Sequence, residues 1–331
     1  MKTIDTTNRK WYTIYVVKKY NNKQKGVFKM KTMQEFTKVV TSKVASKLGK
    51  GYEVTHSKVR KQGDKLLDAV MIREEGANVS PNIYLNALYE EYQKGASIDK
   101  IVEDMVNIYF QSQKNAPMNV MENMEKLENI LPFLINAKKN KEYIAEHDLF
   151  CMDVPFSNDV KVAFRKVVGS ESNMLQSFVI SKEFCKSVLG VKPEVLHEKF
   201  ANANEPMITD MNSMLDNIIF GKKGEITKSI EVSDLDFDAQ PMYVLSCKNG
   251  VNGASVILNN DFMKKLEKQL GSFYILPSSV HEVILVSNND KFSAKELKKM
   301  VKEVNATRVQ PDEFLADELY LFENGVIKSV A

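Results

Sequence analysis

The chain has 331 residues, of which 44% are hydrophobic and 27% are charged, with 46 Lys and Arg against 43 Asp and Glu. These values are typical of a globular protein with one large domain or two ordinary ones, which can bury a substantial core without disulfides or metals. No apolar run approaches the roughly 20 residues of a membrane-spanning helix, and the N-terminus carries no secretory signal, so we expect a cytoplasmic protein without membrane contact.

Charge is distributed unevenly along the chain. Residues 1–65 contain 17 Lys and Arg but only 4 Asp and Glu, a net charge of +13, whereas the remaining 266 residues carry a net charge of −10. A basic segment of this kind is typical of proteins that contact nucleic acid or an acidic partner. However, 41 of the 46 basic residues are Lys, and a lysine-rich composition alone produces such a surface. Lys also lacks the planar fork with which Arg reads guanine.

Helices and one hairpin are predicted for the first half of the chain. Residues 1–30 are a basic segment with one strand-like run, WYTIYVV. The elements predicted after it are a helix from Met33, the strands YEVTHSKV and KLLDAVMIR around the turn RKQGD, and helices starting at Ser80-Pro81, starting at Ser97 and covering roughly residues 120–137. The start at Ser80-Pro81 rests on a capping Ser followed by Pro at the first helical position.

Strands are predicted more often in the second half. The predicted elements are the strands LFCMDVPF, VKVAFRKVV and MLQSFVIS, helices around residues 182–189, 193–203 and 207–220, the strands PMYVLSCK and ASVIL, the helix DFMKKLEKQLG, the stretch FYILPSSVHEVILV, a helix after the Ser293 capping box, and a hairpin turning at Asn324-Gly325. Several neighbouring strands have connections too short for a parallel crossover. The predicted fold class is therefore α+β, with mixed, mainly antiparallel sheets and helices packed on them.

Three segments are predicted as the domain organisation. They are a basic N-terminal extension (1–30), a domain of helix, hairpin and helical bundle (31–140), and an α+β domain (141–331).

FYILPSSVHEVILV contains the weak candidates for a catalytic site, Ser279, His281 and Glu282. Serine, histidine and a carboxylate are the parts of a nucleophilic site. An activated serine usually lies on a sharp turn flanked by glycines, whereas Pro277 and Val280 flank this one. The favoured interpretation is a turn between two buried strands, and a role in shaping a ligand or partner cleft is the alternative.

The acidic connector SDLDFDAQ contains the weak candidates for metal binding, Asp234, Asp236 and Asp238. In an extended segment their carboxylates would share one face and could hold Mg²⁺ or Ca²⁺. An EF-hand loop would need Gly at the position of Ala239, so a solvated connector is the favoured interpretation. The three cysteines form no CxxC pair, which indicates reduced thiols, and no cofactor is expected.

Basic residues of the first 65 positions are the candidates for partner contact. We expect them to bind a host protein or nucleic acid through their positive charge. They are Lys10, Lys18, Lys19, Lys23, Lys25, Lys29, Lys31, Lys58, Arg60 and Lys61.

Two long segments carry a family resemblance. One is SPNIYLNALYEEYQKGASIDKIVEDM, after the hairpin VRKQGDKLLDAVMI, and the other is FYILPSSVHEVILV, continued by SAKELKKMVKEVNATRVQPDEFLADELYLF. They resemble an uncharacterised family common in gut Firmicutes, catalogued as domain of unknown function 5688, over roughly Met33 to Phe322. Its members are scattered among phages, plasmids and integrative elements, so the resemblance implies an accessory role in a mobile element. It assigns no catalytic residue.

Three hypotheses for the function follow. The first is an accessory binding or adaptor protein of a mobile genetic element or phage, which contacts a host protein or nucleic acid. It includes an anti-defence role, such as inhibition of a CRISPR or other immune nuclease. The second is an enzyme whose site is assembled from distant residues, and the third is a homo-oligomeric structural or regulatory protein. The uneven charge and the absence of an assembled catalytic motif favour the first.

Overall fold

A computed structural model describes residues 31–76, 80, 82–114, 124–171, 174–211, 229–277, 279–289 and 291–330. Within these residues the chain has an α+β fold with three mainly antiparallel sheets, which confirms the predicted class. The described residues divide into two compact units. The first unit contains the described residues up to Lys61, those between Leu66 and Asn123, and the segment Val167–Phe178. The second unit contains the segment Gln62–Lys65, the described residues between Met124 and Lys166, and those from Val179 onwards. The domain limits predicted at residues 30 and 140 stay a prediction.

The first unit packs three helices against a small sheet. Its elements are α1 (Met33–Leu48), β1 (Tyr52–Arg60), β2 (Leu66–Glu74), β3 (Asn82–Tyr84), α2 (Asn86–Gln93) and α3 (Ile98–Lys114). The helix predicted from Met33 is confirmed: Thr32 and Glu35 form a capping box at its start, and the apolar stripe of α1 is buried. The predicted hairpin is confirmed too, because β1 and β2 pair antiparallel along their whole length.

The helix predicted from Ser80-Pro81 begins later. Asn82–Tyr84 pairs with β2 as a third strand, and α2 starts only at Asn86. The Ser80 hydroxyl donates to the carbonyl oxygen of Ile72 at 2.5 Å instead of capping a helix. Pro81 lies outside the described residues, as does the strand-like run WYTIYVV. The neighbouring strand thus provides backbone partners that outweigh the local helix-start signal.

The remaining elements lie mainly in the second unit. They are β4 (Ile130–Asn136), α4 (Lys141–Glu146), β5 (Met152–Val154), β6 (Ser157–Glu171), β7 (Met174–Val179), α5 (Lys182–Ser187), α6 (Glu194–Phe200), β8 (Pro206–Asp210), β9 (Met242–Cys247), α7 (Asn260–Leu270), β10 (Phe273–Leu276), β11 (Val283–Ser287), α8 (Ala294–Thr307), β12 (Leu319–Glu323) and β13 (Val326–Val330). The end of β6 and most of β7 belong to the first unit. One sheet has the order β13-β12-β10-β11-β9-β8, and in the other β6 pairs with β4, β5 and β7.

Three predictions in this part were wrong. The helix predicted over residues 120–137 is a strand in its second part, where β4 pairs with β6. A buried apolar run such as ILPFLIN satisfies helix and strand patterns alike. The predicted strand ASVIL is a 3-10 helix, Gly253–Leu258. The helix predicted over residues 207–220 does not begin at Met207, because Pro206–Asp210 pairs with β9 as β8. Residues 212–228 lie outside the described part, so the remainder of that helix stays a prediction.

A buried lysine ties β6 to the segment that precedes β4. Lys166 is fully buried, and its ammonium donates to the carbonyl oxygens of Lys126 at 2.6 Å and Glu128 at 2.5 Å. Replacing Lys166 with Met would leave both carbonyls without these donors, so we expect unfolding to become easier by about 2–4 kcal/mol. Chemical denaturation followed by circular dichroism measures this loss. The matched change at the exposed Lys186 should cost less than about 0.5 kcal/mol.

The stability that Lys166 contributes should also depend on pH. Burial lowers the pKa of Lys166 below its usual value. The unfolded chain therefore holds this proton more tightly, and the stability that Lys166 contributes rises as pH increases from the folded towards the unfolded pKa, about 10.4. The difference between the wild type and the Lys166→Met variant should accordingly be larger at pH 10 than at pH 7. A difference that shrinks with rising pH would contradict this account.

Candidate functional site

Four of the ten basic residues predicted to contact a partner are in the described part of the chain. These are Lys31, Lys58, Arg60 and Lys61. The other six, Lys10, Lys18, Lys19, Lys23, Lys25 and Lys29, lie outside the described residues.

Lys31 is held by its backbone against α2. Its N–H donates to the Tyr92 hydroxyl at 3.2 Å, and the Tyr89 hydroxyl donates to its carbonyl oxygen at 3.0 Å. Both tyrosine rings lie 5.3 Å from the ring of Phe36 in α1. Tyr89 and Tyr92 therefore pack with the core of the first unit and also hold the backbone of Lys31.

The other three basic residues lie at the end of β1 on two faces of the hairpin. Because side chains alternate along a strand, Lys58 and Arg60 share one face and Lys61 follows on the opposite face. The Lys61 ammonium lies 4.6 Å from the ring centroid of Tyr84, which is a cation–π contact. Asp68, opposite Lys58 in the register, is 2.7 Å from Nε2 of His56. Positive charge at this end of β1 is thus shared between two surfaces.

Ser279, His281 and Glu282 lie on the turn between β10 and β11, whose antiparallel pairing confirms the predicted pair of buried strands. The Ser279 hydroxyl donates to Oε1 of Glu282 at 2.7 Å and accepts the backbone N–H of His281 at 3.0 Å. Nδ1 of His281 accepts the backbone N–H of Asn252 at 3.1 Å. The serine proton is therefore directed to the carboxylate, and these contacts fix the shape of the turn.

A second layer of polar contacts surrounds this turn. The Ser246 hydroxyl donates to the carbonyl oxygen of His281 at 2.8 Å, and the Ser255 hydroxyl lies 2.8 Å from the carbonyl oxygen of Asn252. Gly253 lies between these groups, where a Cβ would be 2.5 Å from the carbonyl oxygen of His281. This contact was not predicted from the sequence, although the Asn252-Gly253 pair at the start of this segment was its visible signal. Asn252 has a left-handed backbone, with φ of 59°.

The acidic candidates lie on a turn beside a shallow cleft. Oδ1 of Asp236 accepts the backbone N–H of Asp238 at 2.8 Å, and the Asp238 side chain is 91% exposed, 3.9 Å from the Lys291 ammonium. Asp234 ends a short 3-10 helix, Val232–Asp234. The cleft has a volume of about 490 Å³ and is also lined by Gln269. Among the residues that the structure describes, no three His, Cys, Asp or Glu side chains are grouped to hold a metal ion.

The three cysteines are free thiols. Cys185 and Cys247 are buried, and Cys151 is half-buried. Burial raises the pKa of Cys151 and of Cys185 to about 11. Both thiols are therefore protonated near neutral pH, which makes them poor nucleophiles.

One family model matches the chain, over residues 33–324, and its description is a family of unknown function, DUF5688. Neither the curated proteins nor the solved structures contain a match. Across the described ranges, no helix has the length and apolar character required to cross a membrane.

Proposed function

We propose that this chain, which belongs to the DUF5688 family of unknown function, is an accessory binding protein whose basic N-terminal region contacts a polyanion. Nucleic acid is the first partner that we propose, and an acidic surface of a host protein is the second. The observation that carries the proposal is the charge of residues 1–65, a net +13 in a chain whose remainder is net −10. A concentrated positive charge attracts a polyanion and raises the rate of encounter.

Lysine chemistry supports a contact with backbone phosphates rather than with bases. Of the 17 basic residues in the first 65 positions, only Arg9 and Arg60 are arginines. A lysine ammonium is a point charge that neutralises phosphate without reading a base edge. Binding should therefore show little sequence preference. The same point charges suit a carboxylate-rich protein surface, and this is the reason for the second partner.

A mobile genetic element or phage is the biological setting that we propose, and the resemblance of the two long segments supports it. In that setting the bound partner is a host factor or nucleic acid that the element encounters. An anti-defence role, with a CRISPR or other immune nuclease as the inhibited partner, belongs to the same proposal.

Binding of the full chain to labelled single-stranded and duplex DNA, followed by fluorescence anisotropy at 50 mM salt, tests the proposal. We expect micromolar or tighter binding to both, with little difference between unrelated sequences. Polyglutamate at equal charge is measured in parallel, because an acidic protein partner predicts that it binds at least as tightly as DNA, whereas nucleic acid as the partner predicts that it binds more weakly. If the chain binds neither DNA nor polyglutamate, the proposal is wrong.

A further inference from the structure

A cleft of about 490 Å³ lies within the second unit. One wall is the connector before β9, residues 232–240, and the others are the ends of α7 and β11. We call it the acidic cleft, because Asp234, Asp236 and Asp238 of the connector line it together with Ser287 of β11. Its volume is within the range of roughly 300–1,000 Å³ that is usual for small-molecule sites.

The connector wall of the acidic cleft is held in place by the fold. Leu235 and Phe237 are buried, and the three aspartates that alternate with them are exposed. The Gln269 side chain donates to the carbonyl oxygen of Leu235 at 3.0 Å. The Tyr243 hydroxyl accepts the backbone N–H of Asp236 at 2.9 Å and donates to its carbonyl oxygen at 3.0 Å. The carboxylates are therefore positioned before any ligand arrives, which reduces the entropy that binding must cost.

A buried hydroxyl in the acidic cleft has no hydrogen-bond partner. Ser287 is only 3% exposed, and its backbone N–H donates to the carbonyl oxygen of Pro241 at 3.2 Å. Its hydroxyl lines the cleft and makes no hydrogen bond to any part of the chain that the structure describes. Leaving such a group unpaired costs free energy, and most buried hydroxyls are therefore paired. A donor from a ligand in the cleft would supply the missing partner.

The charge of the acidic cleft requires a cationic ligand. Between described residues, no ion pair includes Asp234 or Asp236. Asp238 is 3.9 Å from the Lys291 ammonium, which is longer than a direct hydrogen bond. Calcium and magnesium need several oxygen ligands within about 2.0–2.6 Å of one point, and the described acidic side chains form no such group. A cation whose charges are several ångströms apart can instead reach carboxylates that are separate.

We propose that the acidic cleft binds an aliphatic polyamine such as spermidine. Its ammonium groups pair with the separate carboxylates of Asp234 and Asp236, and its methylene chain packs on Leu270, which is half-buried in the lining. An ammonium group has three donors and no acceptor, so one of them donates to the hydroxyl of Ser287. This inference rests on the acidic cleft and not on the basic N-terminal region, so either proposal can fail without the other.

Isothermal titration calorimetry of the full chain with spermidine at 50 mM salt tests this inference. Exposed ion pairs are weak, so we expect a Kd on the order of 0.1–1 mM. Replacing Ser287 with Ala keeps the net charge and should weaken binding by about three- to tenfold, because one hydrogen bond is lost. Without spermidine, the Ser287→Ala variant should unfold at the same or a higher temperature, because its hydroxyl makes no bond in the fold. A lower unfolding temperature would show that the hydroxyl serves the fold, and this would overturn the inference.

Removal of two carboxylates tests the charge of the acidic cleft. Replacing Asp234 and Asp236 together with Asn should weaken spermidine binding by about three- to twentyfold. The matched control replaces Glu198 and Glu303, two exposed acidic residues outside the lining of the cleft, with Gln, and should change affinity less than about twofold. Equal losses from both pairs would show a diffuse attraction to net charge. That result would overturn the inference, as would no binding at about 5 mM spermidine or equally tight binding of Mg²⁺ alone.

Discussion

Replacing the six lysines Lys10, Lys18, Lys19, Lys23, Lys25 and Lys29 with Gln is expected to weaken nucleic-acid binding by the full chain by a factor on the order of 10²–10⁴ at 100 mM salt. The reason is counterion release, because each lysine that neutralises a phosphate frees a condensed cation, and Gln frees none. Fluorescence anisotropy with a labelled single strand measures the change. Circular dichroism should be unchanged within the accuracy of the measurement.

The matched control removes six positive charges elsewhere. Lys141, Lys186, Lys192, Lys199, Lys265 and Lys268 are exposed lysines of the second unit. Their replacement with Gln changes the net charge equally but leaves the N-terminal region intact, so we expect a loss below about tenfold. If the control loses as much affinity as the N-terminal variant, the position of the charge does not matter and the proposed contact region is wrong.

Replacing Gly253 with Ala is expected to destabilise the second unit by about 3 kcal/mol or more. The new Cβ would lie 2.5 Å from the backbone nitrogen of Cys247 and 2.5 Å from the carbonyl oxygen of His281, and it would also collide with the Ser246 hydroxyl. Two of these neighbours are backbone atoms, which yield only if a strand or the turn after β10 moves. Chemical denaturation followed by circular dichroism measures the loss.

Gly250 provides the control for this substitution. It is close in sequence, and a Cβ there would have no neighbour within 4 Å. Its φ of 66° makes Ala unfavourable, so we expect a cost of about 1–2 kcal/mol from backbone strain alone. If the Gly253→Ala variant were as stable as the Gly250→Ala variant, close packing around Gly253 would not hold the turn.

Elements that begin at a capping box or end at a characteristic turn were predicted correctly from the sequence. The Ser293 capping box opens α8, and Asn324-Gly325 turns between β12 and β13, where both residues have positive φ. Both signals depend only on residues a few positions apart, so the sequence alone is enough to recognise them.

Some elements that depend on distant partners were predicted wrongly. Within the segment predicted as a helix, Pro132 lies in β4 opposite Phe164, at the edge of its sheet, where a missing N–H costs no ladder bond. Its carbonyl oxygen accepts the side-chain N–H of Asn204, 72 residues away. A hydrogen bond between residues so far apart in sequence produces no signal in the local sequence around either of them.

The turn that carries the candidate catalytic residues was likewise predictable only in its local part. Its strands, its proline and its polar residues were visible in FYILPSSVHEVILV, so a fixed turn could be predicted. The groups that bond it, the backbone N–H of Asn252 and the Ser246 hydroxyl, lie 29 and 35 residues from His281. Only the fold brings them together.

The salt dependence of nucleic-acid binding by the unmodified chain tests the central claim most directly. With a labelled single strand, affinity is measured by fluorescence anisotropy between 50 and 300 mM salt. Contacts from the six N-terminal lysines alone predict that log affinity falls against log salt with a slope of about −4, and more steeply if other lysines contribute. A slope near zero, or no binding at 50 mM salt, would contradict the claim that this basic region contacts nucleic acid.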